Sequence, residues 1–303
     1  MEPAHILPES DLTWLTDTGN RFRHLQGVDR LNEEFLCLLS WLSTNRYEEK
    51  AVEKVKTDFD LVIHKFTSKL NYRYVGSTEC HLNHPNSDVN VLVDSCSSQF
   101  VSFMKESHYF GDIQSCEGGV IAHHIGTGIQ LSITVSSSME VSLTSFCGQL
   151  EKIPKYRPLY LFIKYYFLQH RLDATPHSAP HFVLFSVLYA IQVLASNNSF
   201  LTLGDLFLLY IQYYGNKQSY LSENNDYPFI SYYDSLLKQF HISWDCQSAM
   251  MHRYVHQVTT SLQDSYTRLQ ARMNDPSITP SYLSILYQNT PRHNVFKGSL
   301  SHF

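Results

Sequence analysis

The sequence predicts an α+β or α/β first half and an all-helical second half. Two observations carry this prediction. Short runs of apolar residues with period two, at Tyr72–Val75, Val89–Val93 and Leu131–Val135, lie among helical patterns in the first half. From Pro158 onward, apolar residues recur at helical spacing instead.

Residues 1–28 are polar and irregular, with Pro3 and Pro8, and read as a flexible arm. Leu31–Leu42 reads as a short apolar helix. Ala51, Val52, Val55, Phe59, Val62, Phe66 and Leu70 then mark one face of an amphipathic helix. Tyr72–Val75 is a strand running into a Gly76-Ser77 turn. Val89, Val91 and Val93 alternate with Asn90 and Leu92, so Asp88 and Asn90 share a face. Leu131, Ile133 and Val135 put Ser132 and Thr134 on the opposite face of a third strand. The second half contains three successive apolar helices, "PLYLFIKYYFLQH", "HFVLFSVLYAIQVLA" and "TLGDLFLLYIQYYG". The last of these starts with Thr202 and Asp205 at capping-box spacing and stops at Gly215. A longer helix follows Ser248, with Met251, Tyr254, Val255, Val258, Leu262, Tyr266 and Leu269 on one face. The tail from Pro276 reads as an extended or mobile segment.

Composition narrows the function classes. The chain has 303 residues, 43% of them hydrophobic and 14% aromatic, which suffices for one large core or two modest ones. A net charge of -5 gives no general attraction to nucleic acid or anionic lipid. Cys37, Cys80, Cys96, Cys116, Cys147 and Cys246 form no CxxC pair, which argues against a zinc ribbon or disulfide framework and for cytosol or nucleus. The N-terminus lacks the pattern of a secretory signal. The apolar run Phe182–Ala195, interrupted by Ser186 and Gln192, is too short to span a bilayer, so no membrane is expected.

The segment "VGSTECHLNHPNSDVNVLV" holds the chemistry. Gly-Ser follows a strand, ten residues intervene, and Asp88 then opens the next strand. Glycine lets backbone approach a phosphate, the serine and exposed amides donate to its oxygens, and alternating strand carboxylates present one face to divalent cations. This stretch resembles the non-canonical poly(A) and uridylyl polymerases of the DNA polymerase β-like nucleotidyltransferase superfamily, most closely the TRAMP-type poly(A) polymerases. "TGIQLSITV" resembles the strand of the third family carboxylate. "YRPLYLFIKYYFLQHRLD" and "TLGDLFLLYIQYYGN" resemble central-domain helices, and "LSIL" at Leu283–Leu286 a late segment.

The resemblance implies an α+β class: a nucleotidyltransferase-type mixed sheet with flanking helices, plus an all-helical central domain. The implied organisation is an arm at 1–28, a helix packing on the central domain at 29–46, a degenerate catalytic-like domain at 47–155, and the central domain with its C-terminal tail at 156–303. It also implies that Asp88, Asn90 and Ser132 occupy the three metal-carboxylate positions. Only Asp88 is an acid. Mg²⁺ prefers charged oxygen, so an amide and a hydroxyl substitute poorly, and two ions ~3.5–4 Å apart would face one protein carboxylate. Asp94 shares their face but lies about 13 Å beyond Asn90. Glu79, in the turn, is expected to be solvated. The expectation is no catalytic residue, no metal and no cofactor.

Gly76, Ser77 and Lys164, which aligns with the family's phosphate-contacting lysine, remain as a nucleotide-binding vestige. Cys80 and His81 replace the Thr-Gly pair of the family. "PHSAPHF", with His177, Ser178, Pro180, His181 and Phe182, replaces a glycine-rich entrance, and "HISWDCQSA" replaces a base-recognition loop. Alternative readings stand beside these. The Gly76-Ser77 turn either holds phosphate or serves the fold. Asp88 binds one ion or accepts hydrogen bonds, and Lys164 meets a phosphate or an acid. His81, His84, His123 and His124 form a metal cluster or polar surface. Tyr160, Tyr165, Tyr166, Tyr210, Tyr213 and Tyr214 pack a core, stack bases or form a protein interface.

The expected function is that of a catalytically inactive scaffold or adaptor in an RNA-processing, surveillance or silencing complex. Expected partners are a zinc-knuckle RNA-binding protein, a helicase or an active polymerase, with RNA engaged indirectly. The alternatives are an active template-independent RNA nucleotidyltransferase with a non-standard metal site, and an RNA-binding module.

Overall fold

The computed structural model describes residues 24–67, 70–85, 87–116, 118–135, 152–172, 182–196, 200–216, 249–275 and 281–287, with a few isolated positions between them. The chain divides into two compact units. One lies within Leu42–Lys152, and the other joins the chain up to Trp41 with the chain from Ile153.

The first unit is built on a mixed five-stranded sheet. Its strands are β1 (Tyr72–Val75), β2 (Val89–Val93), β3 (Phe110–Cys116), β4 (Gly119–His124) and β5 (Gln130–Val135), in the order β1-β2-β5-β4-β3. β2 and β5 run parallel, and the other neighbours are antiparallel. Helix α2 (Arg46–Phe66) starts with an Asn45–Glu48 capping box, which satisfies amides otherwise left unpaired. Its Ala51, Val55, Phe59, Val62 and Ile63 pack with Phe100 and Met104 of α3 (Ser98–Glu106) on one sheet face. That face presents Val89, Val91 and Val93, Leu131 and Ile133, and Val120 and Ala122. The period-two pattern therefore leaves Asn90 and Ser132 on the other face.

β3 and β4 were not expected from the sequence. A bulge between Gly111 and Gln114, with Asp112 at φ 50°, breaks the alternation by which β3 would have been recognised. Gly119 is required by proximity: a Cβ there would stand 2.1 Å from the Ile133 carbonyl oxygen across the β4–β5 pair.

The second unit contains α1 (Gly27–Leu42), α4 (Tyr156–Gln169), α5 (Phe182–Tyr189), α6 (Leu203–Gly215), α7 (Ala249–Met273) and a 3₁₀ turn at Tyr282–Ile285. α5 continues as one π-helical turn, Ala190–Leu194. Phe35 of α1 packs against Phe162 and Phe207, with ring centroids 4.5 and 4.7 Å away. Glu34 is buried; it pairs with Arg30 at 3.0 Å and accepts from the Ser281 hydroxyl and Leu283 amide at 2.7 and 3.0 Å. These bonds tie the buried "LSIL" segment to α1, so this part of the tail is packed.

The α6 capping box between Thr202 and Asp205 forms as its spacing predicts. Gly215 does not act as a left-handed stop. It is the last helical residue, and a Cβ would come 2.9 Å from the Gln263 amide nitrogen of α7. Tyr165, Tyr166, Tyr210 and Tyr214 are buried, while Tyr160 and Tyr213 are half-buried. The Tyr166 hydroxyl meets the Ser261 and Ser265 hydroxyls, Tyr210 meets Ser186, and Tyr214 donates to the Ser186 carbonyl. The buried members of this tyrosine set are core residues with satisfied hydroxyls. Among the described residues, no helix is long and apolar enough to cross a membrane.

Candidate nucleotidyltransferase-type site

The turn after β1 is shaped by its contacts with the next strand. Gly76 has φ 77°, and a Cβ at that position would stand 3.1 Å from Asn90 Nδ2, so both conformation and proximity call for glycine. The Ser77 carbonyl accepts from the Leu82 amide at 2.8 Å, and the Gly76 carbonyl accepts from Cys80 at 3.2 Å. Thr78 Oγ1 donates to the Asp88 carbonyl at 2.9 Å. Cys80 and Leu82 are buried, which anchors the turn from below. His81 has φ 51°, a conformation glycine adopts freely and histidine does not. The backbone thus keeps a glycine-like shape at the position where the family resemblance places glycine.

Asp88, Asn90 and Ser132 come together. Asn90 lies in register with Ser132 across the parallel β2–β5 pair. Gln130, two residues before Ser132 on the same face, reaches both sides of the group. Its Nε2 donates to Asp88 Oδ2 at 2.7 Å and to Ser132 Oγ at 3.2 Å. A carboxylate only accepts, so the nitrogen end of the amide faces Asp88. Sequence reasoning missed Gln130, although the β5 alternation puts it on the face of Ser132. His123 is in register with Gln130, and its Nδ1 is buried without a partner among the described residues.

Other acids are engaged elsewhere. Glu79 pairs with Lys56 of α2 at 3.2 Å, and Asp94 accepts from Asn71 Nδ2 at 2.7 Å. Tyr72 and Tyr74 both donate to Asp60 Oδ1, at 2.8 and 2.6 Å. Burial, and then Asp60, pushes the Tyr72 phenol up to about 12. Lys164 belongs to the helical unit, where its ammonium lies 5.8 Å from the Tyr160 ring centroid. His177, Ser178, Pro180 and His181, the segment "HISWDCQSA" up to Ser248, and Glu117 lie outside the described residues. Phe182 is buried at the start of α5.

The four histidines do not assemble. Among the described residues, no group of three or more His, Cys, Asp or Glu side chains is placed to hold a metal ion. His124 is instead buried beneath the sheet. The Thr127 amide donates to its Nδ1 at 3.1 Å, so Nδ1 accepts and Nε2 carries the proton given to Asp58 Oδ2 at 2.9 Å. Asp58 also pairs with Lys54 at 2.8 Å.

No family model matches the sequence, and no curated protein matches it. Solved structures do. The polymerase core of TRAMP, an RNA surveillance complex, superposes with a TM-score of 0.67 at 15% identity, over 94% of this chain and 99% of that one. A cytoplasmic RNA terminal U-transferase gives 0.64 at 13% identity, over 87% and 100%. The GLD-2/RNP-8 complex gives 0.61 at 11% identity, over 82% and 97%. The chain has a polymerase-β-like nucleotidyltransferase fold. Within that fold, the Gly76 turn and the paired strands β2 and β5 are the elements on which the sequence resemblance places the metal and triphosphate site.

Proposed function

We propose that this chain is a catalytically silent nucleotidyltransferase-fold protein, a scaffold or adaptor subunit of an RNA-processing, surveillance or silencing assembly. One observation carries the reading. Where the fold's chemistry asks for three carboxylates, Asp88 stands with Asn90 and Ser132, and the Gln130 amide donates into it. Divalent ions that activate an attacking oxygen and offset triphosphate charge need anionic ligands, and a neutral amide and hydroxyl supply none. The residues present do not fit a two-metal centre.

Partners of the structural neighbours support the scaffold half of the reading. One neighbour is the polymerase core of an RNA surveillance complex, and two others are GLD-2 in complexes with RNP-8 and GLD-3. On this reading the partner is a zinc-knuckle RNA-binding protein, a helicase or an active polymerase, and RNA is engaged through it. Cys96 and Cys116 are free thiols, in keeping with the cytosol or nucleus.

Retention of Asp88 favours a second reading, an active RNA nucleotidyltransferase with a non-standard metal site. Purification of the tagged protein from its native cells, followed by mass measurement of the intact assembly, tests the scaffold role. Stoichiometric recovery with an RNA-binding protein, helicase or active polymerase is expected. Recovery of the chain alone would contradict it.

A further inference from the structure

The site differs from a metal centre by more than the loss of ligands. Gln130 adds a group that competes for the ligand that remains. Its amide nitrogen has two acceptors in the site, donating to Asp88 Oδ2 at 2.7 Å and to Ser132 Oγ at 3.2 Å. The bond to the carboxylate, at 2.7 Å, is in the short range of charge-assisted contacts. A cation approaching that oxygen along the same direction must first displace the amide. The displaced amide would also leave the Ser132 hydroxyl, so both bonds are lost in one movement.

The chain topology makes Gln130 well placed for this role. β2 and β5 run parallel with Val89 opposite Leu131 and Asn90 opposite Ser132, so the residues just before them, Asp88 and Gln130, meet at the strand ends. β4 supports β5 from the other side, with His123 opposite Gln130. Gln130 therefore projects from a strand paired on both edges, which fixes its backbone beside Asp88.

We propose that Gln130 is an exclusion residue: its carboxamide takes the cation position beside Asp88 and holds the site in a metal-free form. This deepens the reading that the chain does not use divalent ions, and it rests on that reading. It follows that restoring carboxylates at positions 90 and 132 does not by itself rebuild a cation site. The amide at position 130 must be removed as well.

Mn²⁺ alone is the probe, titrated into the purified full chain and followed by its paramagnetic resonance signal. Four proteins are compared: wild type, the Asn90→Asp/Ser132→Asp double variant, and that double variant carrying either Gln130→Ala or Gln130→Met. The methionine is nearly isosteric and guards against a cavity left by alanine. Thermal melting with and without Mn²⁺ reports folding and binding together. Both triple variants are expected to bind Mn²⁺ at least about tenfold more tightly than the double, and to gain melting temperature on Mn²⁺ addition where the double does not. Equal affinity in the double and in a folded triple overturns the exclusion role. The broader reading fails by a different result, Mg²⁺-dependent nucleotide addition by the wild type, so the two failures are separable.

Discussion

Asn90 and Ser132 stand opposite each other across the parallel β2–β5 pair, on the sheet face turned away from α2 and α3. Their neighbour Gln130 donates to both Asp88 and Ser132, so its amide links the one carboxylate of the face to the hydroxyl beside Asn90.

The contact between Gly76 and Asn90 makes the turn sensitive to substitution. Gly76→Ala places a Cβ at positive φ and 3.1 Å from Asn90 Nδ2. The expected loss in chemical unfolding is roughly 1–2 kcal/mol. Adding Asn90→Ala relieves the contact but not the backbone strain, so part of the loss, and not all of it, should return.

The buried pair of Asp58 and His124 is a second sensitive point. His124→Ala removes the donor to Asp58 Oδ2 and leaves that oxygen buried, while Lys54 remains on Oδ1. A loss of about 3 kcal/mol is expected by urea unfolding. Substitution of the exposed His81 by glycine should act in the opposite sense, stabilising by about 1 kcal/mol because glycine accepts the φ of 51°.

Gly215 controls the approach of α6 to α7. A methyl group there meets the Gln263 amide nitrogen and Cα at 2.9 and 3.0 Å, both backbone atoms that cannot rotate away. Gly215→Ala should lower stability by roughly 1–3 kcal/mol, despite the better helix propensity of alanine.

Glu34 gives the helical unit a pH dependence with a definite sign. Burial raises its carboxyl above the ordinary 4.5, against the lowering effects of Ser281, Arg30 and the amides of the 3₁₀ turn. A raised folded pKa means that the native state binds the proton more tightly than the unfolded state. The contribution is therefore full below about 4.5 and is lost as pH rises through the raised folded value. Melting of wild type and Glu34→Gln across this range isolates it from other carboxylates. The wild-type advantage over Glu34→Gln should shrink as pH increases.

Much of this organisation was legible in the sequence, for physical reasons that also explain the omissions. Val89, Val91 and Val93 announce β2 because one face of the strand is buried, and Thr202 with Asp205 announces α6 because a capping box is local. The placement of Asp88, Asn90 and Ser132 on one face followed from period two and from the family resemblance. β3 stayed hidden because the Gly111–Gln114 bulge and the positive φ of Asp112 disrupt its period. The helix does end at Gly215 as its sequence suggests, but the need for glycine there comes from the α7 backbone, more than forty residues later, which the local sequence does not reveal. Gln130 was on the correct face but carried no signal that its amide would reach Asp88, a contact spanning 42 residues. The Asp58–His124 pair, 66 residues apart, was equally silent.

Extension of a single-stranded RNA oligonucleotide by the purified chain tests the proposed absence of nucleotidyl transfer. ATP and UTP are each supplied with Mg²⁺ and with Mn²⁺, and Asp88→Ala serves as the control. No added nucleotide is expected under any of these conditions, with wild type and Asp88→Ala indistinguishable. Extension by the wild type that disappears in Asp88→Ala would contradict it and establish Asp88 as the ligand of a working metal site.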